Sequence, residues 1–132
     1  MVLIEWNDRF ELGVGRMDSS HQEFIQLLSR LNGVTVQEFP VLFAKLLAHT
    51  EQHFASEERW MVESGFPPIM IHCDEHERVL EILREALTVV QSGDAASGRT
   101  LVRELLAWFE QHAASMDLAL ARHIEATGYI VT

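Results

Sequence analysis

Apolar residues recur every three or four positions along most of the chain, and no stretch alternates apolar and polar residues one by one. That spacing marks one face of an α-helix, whereas strict alternation would mark a strand. Four stripes can be traced. The first runs His21, Phe24, Ile25, Leu28, Leu31. The second runs Leu42, Leu46, His49, His53, Glu57, Trp60. The third runs His72, His76, Val79, Leu80, Leu83, Leu87, Val90. The fourth runs Leu101, Leu105, Phe109, His112, Met116, Leu120. Each stretch closes on a glycine, Gly33, Gly65, Gly93 or Gly128, a residue that turns left-handed cheaply just past a helix end. The pattern predicts helices over about 18–32, 36–64, 67–92 and 95–127. They follow an ordered arm over 1–17 with turns at Gly13 and Gly15. Ser20 and Glu23 have the spacing of a capping box, with Asp18 as a rival cap. Pro40 must lie in or near the first turn of the second helix, and Pro67 or Pro68 opens the third. Long amphipathic helices with short links predict an all-α fold, an antiparallel up-down four-helix bundle, as one domain over 1–132.

Composition narrows the field. A chain of 132 residues with 48% apolar content can bury a core as one domain and is not disordered. A single cysteine, Cys73, permits no internal disulfide and fits a reducing compartment. The opening Met1-Val2-Leu3-Ile4-Glu5-Trp6-Asn7-Asp8 lacks the basic start and apolar stretch of a signal peptide. No run reaches the roughly 18 apolar residues of a membrane span, so the cytoplasm is the expected location. The formal charge of −10 repels phosphate backbones and argues against nucleic acid as partner. It reads as solubility, and a monomer is expected.

The histidines change the picture more. All four inward stripes contain one, and the second adds Glu57. Burying such groups without partners costs several kcal/mol each. A lone histidine on an apolar face is ordinarily a core residue with one hydrogen bond. Four helices delivering histidines to one interior point instead to a metal, which satisfies many such groups together. His53 and Glu57 are four apart, as are His72 and His76, which stacks each pair on one helix face as two ligands to one ion. His112 and Asp117 are five apart, which leaves them about 140° apart on a regular helix. A π-bulge would realign them. Otherwise Asp117 reaches sideways between helices.

At this point the chain resembles the hemerythrins, in size and arm their bacterial single-domain branch. Trp6…Gly13-Val14…Met17-Asp18-x-x-His21 is similar to the family's W…GV…D-x-x-H. His53-Phe54-x-x-Glu57-Glu58 is similar to its HF-x-x-EE. Gly65-Phe66-Pro67, His72-x-x-x-His76 and Trp108-x-x-x-His112-x-x-x-x-Asp117 follow in order. The resemblance implies a non-haem centre of two iron ions bridged by oxo or hydroxo. It assigns His72, His76 and His112 to one ion and His21 and His53 to the other, with Glu57 and Asp117 bridging. One coordination position stays open on the ion with two histidines. The implied activity is reversible dioxygen binding for storage, delivery or sensing, with an oxygen-requiring enzyme as a possible recipient. Reversibility needs a dry pocket, for which Phe24, Phe54, Trp108 and Phe109 are candidate walls; simple core packing is the competing reading of each.

The chain departs from the family at three positions. Phe109 stands where leucine is usual, Ala113 where isoleucine is usual, and Leu120 where many members carry tyrosine. The first two predict a reshaped pocket; the third removes a hydroxyl that could support a bridge. Elsewhere the bland readings prevail. His49 reads as a boundary histidine, His123 as a partner for a helix terminus, Cys73 as a small buried hydrophobe and Glu58 as solvated. An enzyme handling oxygen, peroxide or nitric oxide is the rival function, and iron handling a third. Ferritin-like oxygenases use Glu-x-x-His pairs; the sequence contains none, which favours binding over catalysis. A chain ending four residues past Gly128 is expected to carry no fused output domain.

Overall fold

The structure, a computed structural model, describes residues 6–132; the first five residues of the expected arm lie outside it. A short 3-10 turn, Asp8–Phe10, precedes α1 (Gly15–Gly33), α2 (Phe39–Ser64), α3 (Ile69–Gln91) and α4 (Ala95–His112). A π-helical segment, Ala113–Asp117, then leads without a break into α5 (Leu118–Thr127). The last three form one rod, so the described residues make an all-α four-helix bundle. Each helix packs on the next, and α4 closes the ring against α1. The links, residues 34–38, 65–68 and 92–94, are short enough to force antiparallel neighbours. No described helix is long and apolar enough to cross a membrane.

The helix ends differ in detail from the sequence reading. α1 begins at Gly15, ahead of the expected cap, because Met17 is fully buried and draws the turn before it into the core. Gly15 is thus the first helical residue rather than a turn, while Gly13 does turn, at φ +92°. Asp18 does not cap its own helix. Its carboxylate accepts from the N–H groups of Leu12 and Gly13 at 2.8 and 3.2 Å, tying down the arm. Ser20, read as a cap, lies inside α1 and bonds to another helix. α3 starts at Ile69, after both prolines, with Pro68 as N-cap.

Gly65 ends α2 at φ +69°, with Phe66 N–H on the Met61 carbonyl and Gly65 N–H on that of Val62, the hydrogen-bond pattern of a Schellman cap. Gly33 does not take this form. Arg99 of α4 donates instead to the carbonyls of Leu31, Asn32 and Val34 and closes the end of α1 from outside. A guanidinium with several donors satisfies orphan carbonyls that a left-handed glycine would otherwise redirect.

Buried apolar residues form two clusters. The larger includes Phe24, Leu28, Phe43, Leu46, Phe54, Leu83 and Phe109. The smaller includes Met17, Trp60, Met61, Phe66, Leu120 and Ile124. A polar layer crosses the bundle between them: His21 lies between Met17 and Phe24 on α1, and Glu57 between Phe54 and Trp60 on α2. The pattern recurs with His72 and His76 on α3 and with His112 and Asp117 on the fourth rod.

Candidate metal centre

Seven side chains make up this layer. His21, Glu57, His72, His76, His112 and Asp117 are at most 4% exposed, and His53 is 9% exposed. Each imidazole points Nε2 at one or both of the two carboxylates. Glu57 Oε2 lies 2.8 Å from His53 and 3.5 Å from His21. Glu57 Oε1 lies 3.2 Å from His76 and 3.4 Å from His72. Asp117 divides its oxygens in the same way. Oδ2 is 3.0 Å from His21, while Oδ1 is 3.0 Å from His112 and 3.1 Å from His72. Both carboxylates therefore turn one oxygen to His21 and its side and the other to the side of His72. Two overlapping groups result, His72, His76 and His112 with both acids, and His21 and His53 with the same two acids.

The π-helical segment makes this possible. One additional residue per turn carries Asp117 round to the face that holds His112. The bulge also shifts the inward register. Asp117 is buried where the sequence stripe put Met116, and Met116 is half-buried. Further up the rod Val102 is buried and Leu101 only half-buried, a one-residue correction to the fourth stripe.

The layer's electrostatics show what it suits. Burial by itself would lower the pKa of His21, but the Asp117 and Glu57 carboxylates close beside its ring override it and raise the value to about 9. The same balance lifts His72 to about 9. Burial would raise both acids; the surrounding histidines hold Glu57 well below its ordinary value and also lower Asp117. Without other cations, protons must neutralise the carboxylates. Even so, Nε2 of His21, His72, His76 and His112, both Glu57 oxygens and Asp117 Oδ1 are buried without a hydrogen-bond partner. Unpartnered acceptors converging on two points are what metal ions satisfy, and an imidazole and carboxylate donor set suits iron, manganese or zinc.

The four aromatic residues picked from sequence surround the same place. Phe54 stacks on His76 at 3.8 Å with planes 5° apart, and Trp108 on His112 at 4.5 Å. Phe109 sets its edge against His21 at 5.0 Å and also packs on Phe24. With His21, His53, Thr50, His112 and Asp117, these four line a small cavity of about 10 Å³. Thr50 was not picked from sequence. Its position one turn after Leu46 and one before His53 or Phe54 is the signal that could have found it; its hydroxyl is bonded to the Leu46 carbonyl at 2.7 Å. Glu58 is also corrected: it is not simply solvated, because its carboxylate meets His76 Nδ1 at 3.2 Å. Leu120 is fully buried in the smaller apolar cluster. His49 bonds to the Ser20 carbonyl, and His123 to the carbonyl of Ser64 at the end of α2 rather than of its own helix. Cys73 is half-buried beside the smaller cluster.

The family profile described as the hemerythrin HHE cation binding domain matches residues 12–124. A bacteriohemerythrin of Ralstonia nicotianae is 37% identical over 128 residues, 97% of this chain and 93% of the relative. One from Aquifex aeolicus is 28% identical over 129 residues, 93% of this chain and 98% of the relative. Among solved structures, a leucine-to-alanine variant of a hemerythrin superposes with a TM-score of 0.81 at 20% identity, covering 93% of this chain and 98% of its own. A leucine-to-phenylalanine variant gives 0.82 at 20% identity, covering 94% and 98%. With a family profile spanning most of its length and a bacteriohemerythrin at this identity, the chain belongs to the hemerythrin family.

Proposed function

We propose that the protein holds two iron ions, bridged by oxo or hydroxo, and binds dioxygen reversibly beside them. The division of each carboxylate's oxygens between the two histidine groups carries this reading. Glu57 and Asp117 would bridge the two. His72, His76 and His112 would hold one ion and His21 and His53 the other. A bound pair of irons supplies the two electrons that reversible oxygen capture draws on.

The chain's own part is to hold, shield and leave room. Fewer nitrogens face the His21 side, and the small cavity touches both rings of that side, His21 and His53, but only His112 of the other three. A space of about 10 Å³ admits about one water-sized molecule. Phe24, Phe54, Trp108 and Phe109 wall it with apolar surface, which keeps out the additional water and protons that would spoil reversal. So little room, and no Glu-x-x-His pair, favours storage, delivery or sensing over turnover of a larger substrate.

Metal analysis with optical spectra of reduced, re-oxygenated and argon-flushed protein tests this. Two irons per chain and an oxygen-dependent spectrum that reverses under argon are expected. Rapid decay to ferric iron with turnover would indicate an oxidase or peroxidase instead. Iron that leaves readily to a chelator with no oxygenated form would indicate iron handling.

A further inference from the structure

Because every ring turns Nε2 toward the carboxylates, Nδ1 is the remaining handle on each imidazole. Two rings are held there. His53 Nδ1 is hydrogen-bonded to the Ser20 hydroxyl at 2.7 Å, and His76 Nδ1 donates to Glu58 Oε2 at 3.2 Å. Nδ1 of His21, His72 and His112 is buried with no partner. The two held rings fall one in each histidine group.

Both anchors cross a helix boundary. Ser20 on α1 holds a ring on α2, and Glu58 on α2 holds a ring on α3. Each anchor is also the sequence neighbour of a site residue, Ser20 of His21 and Glu58 of Glu57. Consecutive residues differ by about 100° around a helix, so one enters the layer while the other faces the adjacent helix. Ser20 is fixed in turn by His49, which donates to its carbonyl at 3.1 Å and lies parallel to His53 at 6.3 Å. The His76 ring is fixed on its other side by the Phe54 face.

The anchors differ in chemistry. A carboxylate orients the imidazole, strengthens it as a donor and adds negative charge near the metal. A neutral hydroxyl orients only. We propose that Ser20 and Glu58 are positioning residues that act separately on the two metal positions. Glu58 tightens the position held by His72, His76 and His112, and Ser20 sets the looser one held by His21 and His53. The inference rests on the two-ion reading above.

The test is chelator challenge of protein loaded anaerobically with ferrous iron. The wild type, first shown to hold two ions, should release them in two phases. Ser20→Ala should accelerate the fast phase alone and Glu58→Ala the slow phase alone, each by about 10–100-fold. Glu58→Gln keeps an acceptor oxygen and loses the charge, so its slow phase should fall between Glu58→Ala and wild type. Helical circular dichroism of the metal-free variants should match wild type, which separates weaker grip from misfolding. Single-phase release by the wild type, unchanged rates in the variants, or equal acceleration of both phases by either alanine variant would overturn the proposal. A wild type that never loads two ions would overturn the two-ion reading itself, before the anchors are reached.

Discussion

Phe109 occupies the point where cavity, ligand and apolar core meet. Its ring centroid is 5.0 Å from that of His21 in an edge-on contact, and it packs against Phe24 and Phe10. The residue one turn on, Ala113, is buried and small. Phe109 lines the cavity, whereas Ala113 faces a separate hollow beside Phe10 and Leu12, so of the two departures read from the sequence only Phe109 shapes the space against His21. Shortening Phe109 to leucine enlarges the cavity by part of a ring without placing a polar group in the core. Phe109→Leu is expected to cost about 1–3 kcal/mol of stability, as a large-to-small change in the core. Oxygen should leave faster, and ferric conversion should quicken several-fold, because the wider space admits water. Stopped-flow release and the decay of the oxygenated spectrum measure the two rates. If both match wild type, the ring does not border the route that oxygen uses.

At the scale of elements, two local devices set the geometry. Arg99 ties α4 to the end of α1 through three carbonyls and lies over the Phe39 ring at 5.0 Å. Arg99→Met keeps much of the stem's bulk but strips the donors. A loss of about 2–3 kcal/mol is expected, read as a lower denaturant midpoint with the metal centre's spectrum intact. The π-helical segment is the second device. It amounts to one residue inserted between His112 and Asp117, with exposed Ala114 inside it. Deleting Ala114 should leave His112 and Asp117 four apart on a regular helix, both still inward, so iron content should persist. Inserting one more alanine there should rotate Leu120, Ala121 and Ile124 by about 100° and abolish cooperative unfolding. Loss of iron in the deletion variant would show that the bulge itself, rather than the register it restores, places Asp117.

The sequence conveys part of this geometry and not the rest. Ligands four apart were legible because they share the stripe that a helix must bury. The five-residue step from His112 to Asp117 left two geometries open, since spacing alone does not say whether both side chains must face the same layer. Both are buried and Asp117 Oδ1 lies 3.0 Å from His112 Nε2, a meeting that a regular helix would not allow. Ser20 passed for a cap and Glu58 for a solvated acid for a different reason. Each faces a neighbouring helix, a direction that the periodicity of one helix does not encode.

Seen whole, the molecule is two apolar clusters separated by a layer of buried charge, and that layer decides how stability responds to pH. In the metal-free protein, the contribution of His21 and His72 is fully present below the ordinary histidine value of about 6.5. It is lost as pH rises through their raised values of about 9. Glu57 and Asp117 act in the opposite sense. Their contribution is present above the ordinary carboxylate range of about 4 and fades as pH falls through their lowered values. The metal-free form should therefore be most stable at mildly acidic pH and weaken toward about pH 9. Metal ions replace the protons on the rings, so the loaded form lacks the histidine-dependent decline, and loading should release protons. The gap in melting temperature between loaded and metal-free protein should widen as pH rises from about 6 to about 9. Melts of ferrous-loaded and metal-free protein under argon, at several pH values across that window, measure the gap. Parallel curves would mean that His21 and His72 do not exchange protons for metal, and that the layer is held by ordinary ion pairs.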